Sequence, residues 1–179
     1  MTVPSMIPLS PSRVVAWGSR LIASPQGREW PTNGVEFVHF LGYHAHYDAA
    51  TGRSSWPIPL RNSCAGLVRF AESRGILSAE PPAAGEIFLI WSEVEQRFMR
   101  AGFVAFVARA ESWPGGARFF ACHTIEAYSP GHSRNGGFAK DRRKLSPECG
   151  DRFVRWAELE GRGGERDAVG GSGEFMAHR

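Results

Sequence analysis

Residues 82–128 read PAAGEIFLIWSEVEQRFMRAGFVAFVARAESWPGGARFFACHTIEAY, and this stretch decides the fold class. Pro81-Pro82 and Gly85 punctuate the chain ahead of it. Glu86 to Trp91 is short and apolar, as expected of a strand. Met99 to Arg109 is apolar on both faces, the mark of a strand inside a sheet. Trp113-Pro114-Gly115-Gly116 turns the chain into Arg118 to Tyr128, its expected antiparallel neighbour. Downstream, Ser129 to Gly137 reads as a glycine-rich loop, and Phe138-Ala139 and Arg152 to Trp156 as further short strands. Upstream the period changes to that of helices. Arg13 to Ala23 forms one, ending before Ser24-Pro25. A second has Thr32 or Asn33 as its cap, Glu36 answering in a capping box, and an inward stripe of Gly34, Phe37, Val38, Leu41 and Ala45. Asp48 to Pro59 is read as loop. A third helix runs from Asn62 to Arg74, with Cys64, Leu67, Val68 and Ala71 inward and Gly75 as its C′ residue. Helices first, then an antiparallel sheet, define an α+β domain.

With 179 residues, 42% hydrophobic and 22% charged, the chain supports one well-buried core and not two. Residues 13–159 are assigned to a single domain, 1–12 to a flexible arm and 160–179, rich in glycine, to a disordered tail. No apolar run is long enough to span a membrane, and the first residues lack the form of a secretory signal. The net charge of +3 is modest and argues against nucleic acid as a partner. The densest basic patch, Lys140, Arg142, Arg143 and Lys144, reads as a solvated loop face, with an anionic polymer as the alternative. Cys64, Cys122 and Cys149 have neither disulfide-framework nor zinc spacing. His44 and His46 diverge on a helix and make a poor metal pair, so neither metal nor cofactor is expected, and the chain is expected to be monomeric.

Several fragments resemble the CHAP family (cysteine- and histidine-dependent amidohydrolases/peptidases) of the NlpC-type, papain-like group. Pro82-Ala83-Ala84-Gly85-Glu86-Ile87-Phe88 is similar to the family's P-x-x-G-D and strand, and Arg100-Ala101-Gly102-Phe103-Val104 to its H-x-G-x-V. Thr124-Ile125-Glu126-Ala127-Tyr128 is similar to T-I-E-G-N. Gly136-Gly137-Phe138 and Arg152-Phe153-Val154-Arg155-Trp156 follow in the same order. Asn33-Gly34-Val35-Glu36-Phe37-Val38 resembles the W-C-A-x-F-V helix start, so the likeness covers roughly residues 13–157. It implies a papain-like α+β fold acting on peptidoglycan. It also implies a thiol at a helix N-terminus, an imidazole on the sheet and a polar orienting residue on the next strand.

Carried over position by position, Glu126 keeps the third place, Arg100 stands where the histidine would be, and Gly34 where the cysteine would be. Glycine has nothing to attack with, and arginine stays protonated and cannot take up the nucleophile's proton. The resemblance therefore implies a catalytically degenerate cell-wall hydrolase domain that retains a cleft. Its partner would be peptidoglycan or a peptide or protein ligand, with Trp30, Arg100, Glu126, Tyr128 and His132 lining the cleft. Such a chain is expected to be cytoplasmic as synthesised and brought to the cell wall by another system.

A rival reading takes Ser63-Cys64-Ala65-Gly66-Leu67-Val68 as the D-C-S-G-L-V of NlpC-type enzymes. Cys64 would then be the nucleophile of an active amidase or endopeptidase, with His123 or His132 as base. The stretch from Cys64 to Pro81 is short for this, His123 alternates away from Glu126, and Cys64 lies on an apolar stripe where free cysteine is usually core. His132, in a glycine-rich loop, reads as solvated or as lining the cleft. Trp30 and Trp56, in loops, are candidates to stack on a sugar or peptide. A third reading, a structural component of a phage-derived particle, rests on the family's associations alone.

Overall fold

A computed structural model describes residues 7–24, 34–128 and 137–162. Helix α1 spans Pro11–Ala23, with proline in its first turn and Ser24 N–H bonded back to Leu21. Helix α2, Gly34–Ala45, buries Val35, Phe37, Val38, Leu41, Gly42 and Ala45. A two-stranded hairpin follows, β1 (Tyr47–Asp48) and β2 (Arg53–Ser54), turned by Asp48 and by Gly52 at φ 67°. Helix α3, Cys64–Ser73, is capped by the Ser63 hydroxyl, which accepts from Gly66 N–H. Gly75 ends it at φ 62°, with Ile76 N–H bonded to Ala71 and Gly75 N–H to Glu72, the Schellman pattern.

The remaining strands are β3 (Leu77–Ser78), β4 (Ile87–Ser92), β5 (Arg97–Ser112), β6 (Arg118–Tyr128), β7 (Gly137–Leu145) and β8 (Arg152–Val154). They form one six-stranded sheet in the order β3-β8-β4-β5-β6-β7, antiparallel throughout. The α+β class, with N-terminal helices on a C-terminal antiparallel sheet, is therefore as expected. Strand β5 lies inside the sheet. Only Ala101 to Val104 are buried on both faces, however, and its second half runs outward with β6 as an extended hairpin.

The core divides between the two faces of the sheet. Ile87, Leu89, Ala101, Phe103, Ile125 and Val154 meet Val14, Phe37 and Leu41 of the helices. Phe88, Val104, Cys122, Leu145 and Phe153 cluster on the opposite side. Close approach is bought with glycine at Gly18, where a Cβ would stand 2.8 Å from Ile125, and at Gly42, where it would overlap the Trp56 indole.

Four expectations need correction. The first twelve residues are not an arm throughout: α1 begins at Pro11, Ser55 Oγ donates to Ile7 O, and Ser10 N–H donates to His46 Nε2. The tail does not begin at residue 160, because Glu160 belongs to a 3-10 segment, Trp156–Arg162, and accepts from Leu9 N–H. Lys140 to Lys144 form part of a nine-residue strand and not a loop, since β6 supplies backbone partners from Tyr128 back to Phe120. Trp56 is no stacking platform: it is buried between His46 and Trp156. The Thr32 and Asn33 caps, Trp30, His132 and the loop around them lie outside the described residues, as does the tail beyond residue 162.

Candidate functional site

The fragments that carry the family resemblance meet in space. Gly85, at φ 83°, donates its N–H to Val104 O in the middle of β5, Val104 N–H donates in turn to Glu86 O, and the Gly85 carbonyl accepts from Trp156 Nε1 at 2.8 Å. Pro11 lies so close that a Cβ on Gly85 would come within 2.3 Å of it. Glu86 caps this turn by accepting from Ala83 N–H and pairs with Arg155 at 3.4 Å. The pattern around Gly85 is thus answered by Trp156 and Arg155 from the far end of the domain.

The arrangement around Glu126 differs from that of a catalytic carboxylate orienting an imidazole. Glu126 is 2% exposed and is gripped by Arg143, whose Nε and Nη2 each donate to one carboxylate oxygen at 2.7 Å. Thr124 Oγ1 donates to the same carboxylate at 2.5 Å, and Asp141 pairs with Arg143 at 3.3 Å. Arg100 reaches Glu126 from β5 at 3.9 Å and is 40% exposed. Two planar N–H bonds outweigh a longer, half-exposed contact, so Arg143 is the principal partner. These side chains share the sheet face of Val104 and Cys122, whereas α2 packs over Ala101 and Phe103 on the other. Gly34 sits directly on β5: a Cβ there would stand 2.6 Å from the Ala101 carbonyl oxygen. The β5 backbone thus separates the helix start from the Arg100–Glu126 pair.

Among the described residues the rival centre is not assembled, and its other candidate base, His132, lies outside them. Cys64 occupies the first turn of α3, packed against the helix-side core with Val68. Burial pushes its thiol up, the reverse of what an attacking thiolate needs. Among the described residues no contact joins it to an imidazole. His123 lies on β6 opposite Phe106 and Arg142, on the face away from Glu126, as alternation predicts. Cys122 points the other way into the apolar cluster, and burial pushes its thiol up to about 12. Tyr128 closes β6 in register with Gly137.

A second feature stands at the outer end of the sheet. A groove of about 350 Å³ is lined by Ala108, Arg109, Ala121 and Cys122 together with His123, Arg142, Arg143 and Lys144. Two cross-strand rows build its panel: Arg109, Ala121 and Lys144 in one, Phe106, His123 and Arg142 in the next. Sequence reasoning placed the four basic residues of β7 in a loop and missed both Arg109 and the Arg143 clamp. The period-two alternation of Lys140, Arg142 and Lys144 against Asp141 and Arg143 was the available signal.

No family model, curated protein or solved structure matches the chain.

Proposed function

We propose that this chain is a catalytically silent module on a CHAP-like, papain-like scaffold, binding peptidoglycan or a peptide or protein ligand without cleaving it. The observation that carries this reading is the state of Glu126. The one residue that matches the family's catalytic set is buried and occupied by a bidentate arginine, and among the described residues neither a thiol nor an imidazole bonds to it. Both oxygens of this carboxylate accept from Arg143 and one also from Thr124, and a guanidinium neighbour cannot act as base. Arg100, partly open to solvent above it, offers a positive group to the carboxylates of a wall peptide.

The test pairs a turbidity assay on cell walls with a pull-down on purified peptidoglycan. Wild type, Cys64→Ala and the double variant Gly34→Cys/Arg100→His are compared in both. The expected outcome is retention on peptidoglycan with no lysis by any of the three. The double variant stays silent because a side chain at position 34 meets the Ala101 carbonyl and Glu126 remains with Arg143. Lysis by wild type that disappears in Cys64→Ala would overturn the reading in favour of an active amidase. Absence from the peptidoglycan pellet would remove the cell-wall ligand.

A further inference from the structure

The residues just ahead of α1, Ile7 to Ser10, belong to no helix or strand. Among the described residues, their hydrogen bonds to the domain beyond α1 all go to side chains. Ser55 Oγ donates to the Ile7 carbonyl at 2.6 Å, Leu9 N–H donates to Glu160 Oε1 at 3.0 Å, and Ser10 N–H donates to His46 Nε2 at 2.9 Å. Leu9 also packs against the helix-side core, whose members Trp56 and Trp156 both contact the His46 ring. That core is not fully satisfied, because Trp56 Nε1 is buried with no hydrogen-bond partner among the described residues. Pro11, by contrast, is seated against Gly85 and begins α1. The segment is thus a strap with a fixed root, fastened by side chains and not by a backbone ladder.

Of these fastenings, the one at His46 can reverse its sense. The ring is fully enclosed, and its Nδ1 lies 3.0 Å from the Gly42 carbonyl, which can only accept. Nδ1 therefore carries the proton, and the Nε2 lone pair receives Ser10 N–H. A second proton would have to sit on Nε2, setting donor against donor where the bond now stands. Among the described residues the charged groups that act on the ring are Arg13 of α1, which opposes its protonation, and Glu160 of the 3-10 segment, which favours it. From the stretch after β2 and from the start of the 3-10 segment it meets only the Trp56 and Trp156 rings. Glu160 is also the acceptor of Leu9 N–H, so an imidazolium competes with the strap for the same carboxylate. We propose that Ile7 to Ser10 form a latch that opens in mild acid. Protonation of His46 expels Ser10 N–H, loosens Leu9 from Glu160 and lifts the strap from the His46–Trp56–Trp156 cluster, while α1 and the sheet stay folded. The domain then presents an aromatic surface in acid that it keeps covered at neutrality. The latch lies on the helix side of the sheet and Glu126 on the other, so it stands whether or not the cell-wall reading holds.

The test follows backbone order by NMR, as the amide heteronuclear NOE of Leu9 and Ser10 in the full chain, across a series from about pH 7.5 to 5. The expected result is a rigid strap at the upper end and a mobile one at the lower, with the midpoint below 6.5. Amides of β4, β5 and β6 should stay rigid throughout. His46→Gln keeps an acceptor and a donor but does not titrate, so its strap should stay rigid across the series. Ser55→Ala leaves the ring intact and removes the Ile7 bond. It should move the midpoint upward, because less free energy then opposes opening. His44→Gln controls for the neighbouring imidazole and should leave the midpoint in place. A strap rigid at both ends of the series, or mobile at both, would overturn the proposal. So would release unchanged in His46→Gln, a midpoint that moves with His44 and not with Ser55, or strands that lose order together with the strap.

Discussion

Glu126 illustrates how one side chain fixes the character of a site. Its carboxylate is shared between a close bidentate arginine inside the sheet and a distant one at the surface. The two arginines therefore differ in what their loss should do. Glu126→Gln leaves the Arg143 guanidinium largely buried beside a neutral amide and should cost about 3 kcal/mol in a denaturant titration. Arg100→Ala removes a half-exposed contact and should cost under about 1 kcal/mol. Equal losses from the two would show that Arg143 is not the dominant partner. The Arg100–Glu126 contact was legible in the sequence, because both lie in strands whose pairing follows from a four-residue turn. The Arg143 clamp was not, because its register depends on a strand beyond a long glycine-rich loop.

Among the elements, those with strong local chemistry were readable and those held by partners were not. Helix α3 ends at Gly75 as its sequence dictates, and the β5–β6 hairpin turns where Pro114-Gly115-Gly116 puts it. Between Lys140 and Lys144 strand β7 has no apolar residue, with cations on one side and Asp141 and Arg143 on the other, and its apolar Leu145 comes only at the end. Alternation that normally marks a half-buried strand was therefore invisible, and backbone pairing with β6 decides the matter. The turn before β4 tests how far one glycine organises its neighbours. Gly85→Ala meets both a positive φ and the Pro11 ring, so it should cost about 3 kcal/mol by thermal or chemical unfolding. Gly52→Ala, at a similar φ in open space, should cost only about 1 kcal/mol. Similar losses at the two positions would remove the Pro11 contact as a cause.

At the scale of the molecule, stability should depend on a single buried imidazole. His46 is fully enclosed, its Nε2 accepting from Ser10 N–H and its Nδ1 at 3.0 Å from the Gly42 carbonyl, so the ring is neutral with the proton on Nδ1. Burial holds its pKa below the ordinary 6.5, the Gly42 bond and Glu160 oppose this, and Arg13 adds to it. His44 is lowered too, by burial and by His39. Because the unfolded chain takes up these protons first, stability is complete above pH 6.5 and falls as the pH drops below it. The melting temperature should decline between about pH 6.5 and 5, and a His46→Gln variant should show a flatter profile. A pH-independent melting temperature across that window would contradict the buried neutral ring. The same anchor has a topological side. Ser10 is held at His46, and Leu9 N–H reaches Glu160 at 3.0 Å, so the first and last described segments meet at one spot. The stretch from Leu9 to Glu160, with its two ends bonded to each other, has the geometry of an insertable cassette: spliced into a surface loop of a host protein, it would not prise the host's loop ends apart.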